Sequence, residues 1–424
     1  MRRPALTAAL SCLSVLGWGG CTPDMGVSSK GGAGAGAGTG GMTAPPSTGG
    51  GSGGPGASGG ANGTTAPDGV APSPAFDCKT VSETGAEVYL RKLAPMIVQR
   101  VLTPDERSQI TAKKGCAIEP IIAAWTTEDV FIASSRRFLE ETLQVSGQLR
   151  DVDFDLPGNL VAHIVKNKRP WSDVILSETC YDKDLNARAC DTGAPYSAGV
   201  ITTRAFIGGR TSRFNLSRAS AMLLNFACRQ YPMEDALQPR MEKTWLMPLF
   251  QANSPQEQTD PRGASLANNG FGCYICHGQF SVHAQFFVKF DGTGLWKEAA
   301  NGVQDPMGEL GRSLNGLMAS HLQDPTRTGL EGIQMFGKPA KNLAEAARIM
   351  VDSPTFVECA AKRYLDYLLG VPDQAITYDA RLFPGLGARI RAKNPDPTLQ
   401  DIILALFTDA SVVRSVTVAA GGSQ

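Results

Sequence analysis

Phe271-Gly272-Cys273-Tyr274-Ile275-Cys276-His277 sets two thiols three positions apart and an imidazole directly after the second. In that order these groups form the attachment signature of a c-type haem. Both thiols reach the vinyl groups of one porphyrin while the imidazole reaches the iron, and a single helical turn offers that geometry. With ten cysteines and four histidines in 424 residues, chance assembles the pattern with a probability of about 0.002. Two other chemistries use the same residue types. Structural zinc wants four ligands, typically in two close pairs, and the sequence has no second Cys-x-x-Cys or matching histidine pair. A thioredoxin-like redox pair wants an α/β surrounding, which the periodicity does not provide. One covalent haem c on Cys273 and Cys276, with His277 as the proximal iron ligand, is the expected cofactor.

The far side of the iron decides between electron transfer and ligand chemistry. Met335, in Gly332-Ile333-Gln334-Met335-Phe336-Gly337, occupies a glycine-flanked loop before a helix, similar to the methionine loop of small soluble cytochromes, and is the first distal candidate. Its plain alternative is a core methionine. Met307 and Met318 are the alternative sulfur donors, and His283 and His321 the imidazoles; His283 lies six residues from His277, too close in sequence to cross the haem plane. His163 reads as an ordinary partly buried histidine. Trp296 suits a porphyrin edge, or any aromatic core. Asp182 and Asp184 form an acidic pair of the kind usually found on solvated surface.

Haem attachment of this kind goes with export, and the chain begins accordingly. Arg2 and Arg3 precede an apolar run from Ala5 to Leu16, too short to span a bilayer, and small residues lead to Cys21. Gly19-Gly20-Cys21 resembles a lipobox, with Trp18 an unusual occupant upstream and Cys12 a weaker second candidate. Residues 1–21 are thus expected to be a lipoprotein signal peptide with lipidation at Cys21; the alternative is plain secretion with cleavage near Gly20. Residues 22–76 are almost wholly Gly, Ala, Ser, Thr and Pro, which bury too little apolar surface to fold. They read as a disordered tether holding a domain clear of a membrane. Thr22 after the lipidated cysteine suits the outer membrane of a bacterial cell envelope. Lys plus Arg and Asp plus Glu balance at 40 each, so no net field favours nucleic acid.

After Phe76 about 350 residues remain to pack. Their periodicity predicts a mainly α fold. Thr103-Pro104-Asp105-Glu106 reads as a cap, a first-turn proline and a capping-box glutamate. Asn215 opens a helix with Leu216, Ala219, Leu223, Phe226 and Ala227 on one face. Ser353-Pro354 opens another, through Phe356, Ala360 and Tyr364 to Gly370, and a last helix runs from Pro397 to about Ala410 with Leu399, Ile402, Ile403 and Leu406 inward. Turn formers at Asp191–Ser197 and Gln251–Asn269 mark weak seams. The expected organisation is an N-terminal helical domain, 77–198, and a cytochrome-c-like haem-binding region, 199–424.

Three blocks within residues 199–415 resemble the haem-binding, cytochrome-c-like domains of large exported proteins of planctomycetes and related proteins of myxobacteria. The first runs from Gly199-Val200-Ile201-Thr202-Thr203-Arg204-Ala205-Phe206 through Arg218 to Phe226-Ala227-Cys228. The second is Cys273–His277 with Phe287-Val288-Lys289-Phe290-Asp291 and Gly294-Leu295-Trp296. The third runs from Phe336-Gly337 through Phe356-Val357-Glu358-Cys359 to Tyr364-Leu365-Asp366-Tyr367-Leu368-Leu369-Gly370. Residues 77–198 match only loosely, around Arg169-Pro170-Trp171-Ser172-Asp173. Where that family has Met-Asp-Pro after the haem histidine, this chain has Phe280-Ser281-Val282-His283, so no role of that methionine carries over. The resemblance implies haem binding in the cell envelope and names no substrate.

Six cysteines remain, an even number that suits disulfides in an oxidising compartment. The short loop favours Cys180–Cys190; sequence order and the family-like helices carrying Cys228 and Cys359 suggest Cys78–Cys116 and Cys228–Cys359. Buried free thiols are the alternative. The expected function is haem binding and electron transfer, with a redox partner protein in the envelope docking at the haem edge and the membrane reached through the lipid. The alternative is a haem enzyme or oxidoreductase subunit, peroxidase-like or oxidase-like, with an open distal site assisted by His283, His321 or Arg312. A third reading makes the chain a binding module with a structural haem.

Overall fold

The helix starts follow the caps written in the sequence. Thr103 Oγ1 accepts from the Glu106 amide at 3.2 Å and Glu106 Oε2 accepts from the Thr103 amide at 2.7 Å, a complete capping box ahead of a first-turn proline. Thr398 and Asp401 form a second box at the last helix. A computed structural model describes residues 76–145, 148–149, 151–210, 214–240, 271–297, 333–369 and 385–414. The expected signal peptide with Cys12 and Cys21, the expected tether up to residue 75 and the seam Gln251–Asn269 lie outside these residues.

The fold is mainly α, with thirteen α-helices among the described residues. In order they are α1 (Glu83–Ile97), α2 (Pro104–Lys113), α3 (Ile118–Trp125), α4 (Asp129–Thr142), α5 (Leu156–Lys166), α6 (Asp173–Leu176), α7 (Arg204–Gly208) and α8 (Phe214–Ala227). There follow α9 (Phe271–Ala284), α10 (Leu343–Asp352), α11 (Pro354–Leu369), α12 (Leu386–Lys393) and α13 (Leu399–Phe407). Three antiparallel hairpins of two-residue strands punctuate them: β1 (Gln148–Leu149) with β2 (Val152–Asp153), β3 (Cys180–Tyr181) with β4 (Ala187–Arg188), and β5 (Gln334–Met335) with β6 (Lys338–Pro339). No helix among the described residues is long and apolar enough to cross a membrane.

One apolar core runs through the described residues, all within a compact unit spanning 66–424. Its packing continues across residue 198. Phe138 of α4 lies edge-on to Tyr364 of α11 at 5.1 Å between ring centres and stacks near Trp171 at 6.3 Å. The Tyr89 hydroxyl of α1 donates to the carbonyl of Phe407, which ends α13, at 2.7 Å. The Trp171 amide donates to the Pro397 carbonyl at 2.8 Å, and Gln400 donates to the Val165 carbonyl at 2.7 Å. Leu399, Ile402, Ile403 and Leu406 turn inward and are fully buried, each contributing about 1.5–3 kcal/mol of apolar burial. The Asp191–Ser197 stretch is bound into this body. The Asp191 carboxylate accepts from the Arg204 amide at 2.8 Å, the Thr192 carbonyl from the Trp296 amide at 2.8 Å, and the Ser197 hydroxyl donates to the Ser177 carbonyl at 2.9 Å.

The structure holds disulfides Cys78–Cys116, Cys180–Cys190 and Cys228–Cys359. The first ties the segment before α1 to the turn before α3, the second closes the β3–β4 hairpin, and the third joins the end of α8 to α11.

Candidate functional site

The haem motif occupies the first half of α9. At 3.6 residues per turn, positions 273, 276 and 277 share an arc of about 100°. Of these three only Cys276, half-buried, has a described side chain; those of Cys273 and His277 lie outside what is described. Helix α9 packs on α8 and touches β5.

A strap, residues 229–240, crosses α9 just after the motif. A Cβ at Gly278 would lie 2.9 Å from Arg240 Cβ, so glycine directly after His277 lets the strap come close. The neighbouring Gln279, fully buried, spends its amide on the strap: Oε1 accepts from the Met233 amide at 2.6 Å, and Nε2 donates to the carbonyls of Met233 at 2.8 Å and Gln238 at 2.7 Å. Gln238, also fully buried, passes the connection on, its Oε1 accepting from the Phe336 amide at 3.1 Å.

The strap also carries Tyr231, whose hydroxyl lies 2.5 Å from His283 Nδ1. Phe280 packs edge-on against the Tyr231 ring, with centroids 3.8 Å apart. Burial, and secondarily the charge of neighbouring Cys276, pushes the Tyr231 hydroxyl well above its ordinary pKa. His283 is fully buried, and desolvation pulls its imidazole down to about 3, so it is neutral at working pH. Whichever tautomer it holds, Nε2 has no hydrogen-bond partner among the described residues. Buried polar atoms in that state call for a water or a non-protein group.

Met335 is fully buried on β5, opposite Lys338. Its surroundings are a hairpin rather than an irregular loop. Phe336 (φ +52°) and Gly337 (φ +72°) form the tight connection, a left-handed pair in which glycine is at ease and phenylalanine is strained. Besides the Gln238 bond, the Arg229 guanidinium lies 5.8 Å from the centre of the Phe336 ring. Met335 also belongs to the apolar core. Met307, Met318, His321 and Arg312 lie outside the described residues.

Buried arginines tie α7 and α8 to the segment after α9, and α11 to α8. Arg218 donates to the carbonyls of Ile207 (3.0 Å), Phe290 (3.1 Å) and Asp291 (2.7 Å) and to Asn215 Oδ1 (3.2 Å). Burial draws its pKa down to about 9, which still leaves it cationic at neutral pH. Arg204 bonds the Thr293 carbonyl and the Asp151 carboxylate. Arg363 of α11 donates to the Leu224 carbonyl near the end of α8, beside the Cys228–Cys359 bridge. The three sequence blocks therefore touch one another around α8. Trp296 packs edge-on to Tyr196 (5.4 Å) and Phe290 (5.2 Å), with Lys289 Nζ 5.1 Å from its ring centre.

Away from α9, His163 stacks on Tyr181 at 3.7 Å, half-buried. The Asp182 carboxylate accepts from the amides of Asp184 and Asn186 in its own turn, and Asp184 pairs with Lys183. Among the described residues no group of three or more His, Cys, Asp or Glu side chains could hold a metal ion.

The structure thus brings Cys276, Met335 and His283 into neighbouring elements, and leaves His163 and the Asp182 turn elsewhere. Tyr231, Gln238 and Gln279 escape the sequence reading; Gln279, two residues past His277, is the only one that motif proximity could have flagged. The residues fit a covalent haem in donor chemistry: two thiols and an imidazole on one arc, a buried thioether on an adjoining strand, and an unpartnered buried imidazole nitrogen nearby. No protein-family model, curated protein or solved structure matches the chain.

Proposed function

We propose that this protein is an exported, lipid-anchored c-type cytochrome that transfers electrons in a bacterial cell envelope. Cys273 and Cys276 would hold one haem by thioether bonds and His277 would bind its iron. Met335 would be the sulfur donor opposite, with Met307 and Met318 as alternatives. When bound, the haem supplies a one-electron ferric/ferrous couple whose potential depends on axial ligands and burial. The protein's own part is to place the donors, keep water away and fix the helix that carries the motif. The observation that carries the reading is Cys-x-x-Cys-His on the opening turns of a helix, in a chain whose disulfides suit the oxidising compartment where haem c is attached. A Cys21 lipid and the 22–76 tether would keep the domain near, but not on, the membrane.

Visible spectra of protein coexpressed with a haem-attachment system test this. A covalently bound c-type chromophore with a ferric methionine band near about 695 nm is the expected result. A high-spin spectrum that shifts with cyanide would replace the carrier with an open-site haem enzyme, and absence of covalent haem would end both readings. Cys21→Ser should move the protein from the membrane fraction to the soluble one.

A further inference from the structure

From the strap's hydrogen bonds we infer that Gln279 and Gln238 are positioning residues, forming a relay that clamps the Met335 hairpin to the haem-motif helix. The inference rests on the proposed function for its meaning, but the clamp itself is a property of the polypeptide. Three elements far apart in sequence are joined end to end. Gln279 on α9 takes up Met233 and Gln238 of the strap through three short bonds, and Gln238 reaches on to the Phe336 amide, next to Met335.

Both glutamines are fully buried; the bonds of Gln279 to the strap are buried, where a lost bond strands its partner, and the bond of Gln238 to Phe336 is half-buried. One feature shows that the hairpin end needs holding, and a second that the strap is anchored well enough to hold it. Phe336 sits at φ +52°, a conformation that persists only when its surroundings over-determine it. The strap's first residues are themselves fixed, since Arg229 reaches the Phe336 ring and follows Cys228, which is bonded to Cys359. A methionine that served as a haem ligand would need this kind of support, because its strand would have to keep registration with the motif helix.

Gln238→Met keeps the chain length and removes the acceptor for Phe336; Gln279→Met removes the bonds at the α9 end and serves as the second variant. Hydrogen exchange at the Phe336 and Ala340 amides is the primary readout. It should accelerate about tenfold in either variant, while exchange in α1 and α3 stays unchanged. In haem-loaded protein the same variants should keep their covalent haem, lose part of the 695 nm band and bind cyanide about tenfold faster. Unchanged hairpin exchange in a folded variant overturns the clamp, whatever the spectra show. Hairpin exchange that rises only together with α1 and α3 overturns it too, since that is general destabilisation. Local acceleration in a protein that never acquires haem upholds the clamp and sinks the electron-transfer reading, so the two failures are distinguishable.

Discussion

Acid should meet His283 as a buried neutral base. Desolvation lowers its folded-state pKa from the ordinary 6.5 to about 3. Between those values the unfolded chain binds a proton there and the folded chain does not, so stability falls as pH drops through the window and is restored above about 6.5. From pH 7 to pH 4.5 this one group should remove about 3 kcal/mol. His283→Gln keeps a polar atom within reach of the Tyr231 hydroxyl and does not titrate. Urea unfolding of both proteins at pH 7 and pH 4.5, followed by far-ultraviolet circular dichroism, isolates the effect, because carboxylates titrate alike in the two and cancel in the difference. The variant should be the weaker protein at pH 7, through its poorer fit, and should gain about 3 kcal/mol relative to wild type at pH 4.5. A variant-to-wild-type difference that is the same at both pH values would refute burial of a neutral imidazole against Tyr231.

The three disulfides close loops of very different length, with separations of 131, 38 and 10 residues. Restriction of the unfolded chain then ranks Cys228–Cys359, Cys78–Cys116 and Cys180–Cys190 at about 5, 4 and 3 kcal/mol. Scanning calorimetry of the three paired Cys→Ser variants should reproduce that order; equal losses would show that native contacts, not chain entropy, set the values. At Glu106, burial raises the carboxyl pKa, but bonds from Arg100, Thr103 and Trp125 outweigh it and bring it to about 2. Its contribution is therefore complete above the ordinary 4.5 and is lost as pH falls toward 2. Glu106→Gln should cost about 2 kcal/mol at pH 7, discounted for the partly exposed Arg100, and less than half of that at pH 3 in urea titrations.

The legible parts of this fold are those whose signal is local. Thr103 and Glu106 sit three residues apart and read as a cap because they act as one. The inward faces of α11 and α13 follow from spacing alone. Cys180 and Cys190 suggest their own pairing by proximity. What was not legible depends on distance or on an exception. Two-residue strands carry no periodicity, and Phe336 stands at a left-handed turn position where asparagine or aspartate would have announced a hairpin. Tyr231 meets His283 across 52 residues and Gln238 meets Phe336 across 98, so neither pair has a local pattern. The Asp191–Ser197 stretch reads as a seam because turn formers dominate it, yet Arg204 and Trp296 use its polar groups as fixtures.

The carrier and enzyme readings make opposite demands on His283. An open-site enzyme would need its imidazole to face the reacting side of a group held at position 277. Six residues further along a helix is about 9 Å of rise and about 120° of rotation from that position. His283 meets Tyr231 of the strap, among Phe280 and Phe286. Protonation offers no remedy, since burial keeps the ring neutral far below working pH. A general acid that is uncharged and hydrogen-bonded to a phenol of raised pKa is poorly suited to peroxide chemistry. The same features suit a support that must not change when one electron is gained or lost. Arg218, Arg363 and the Cys228–Cys359 bridge brace α8, on which the motif helix packs, and firm surroundings are what an electron carrier needs from its protein.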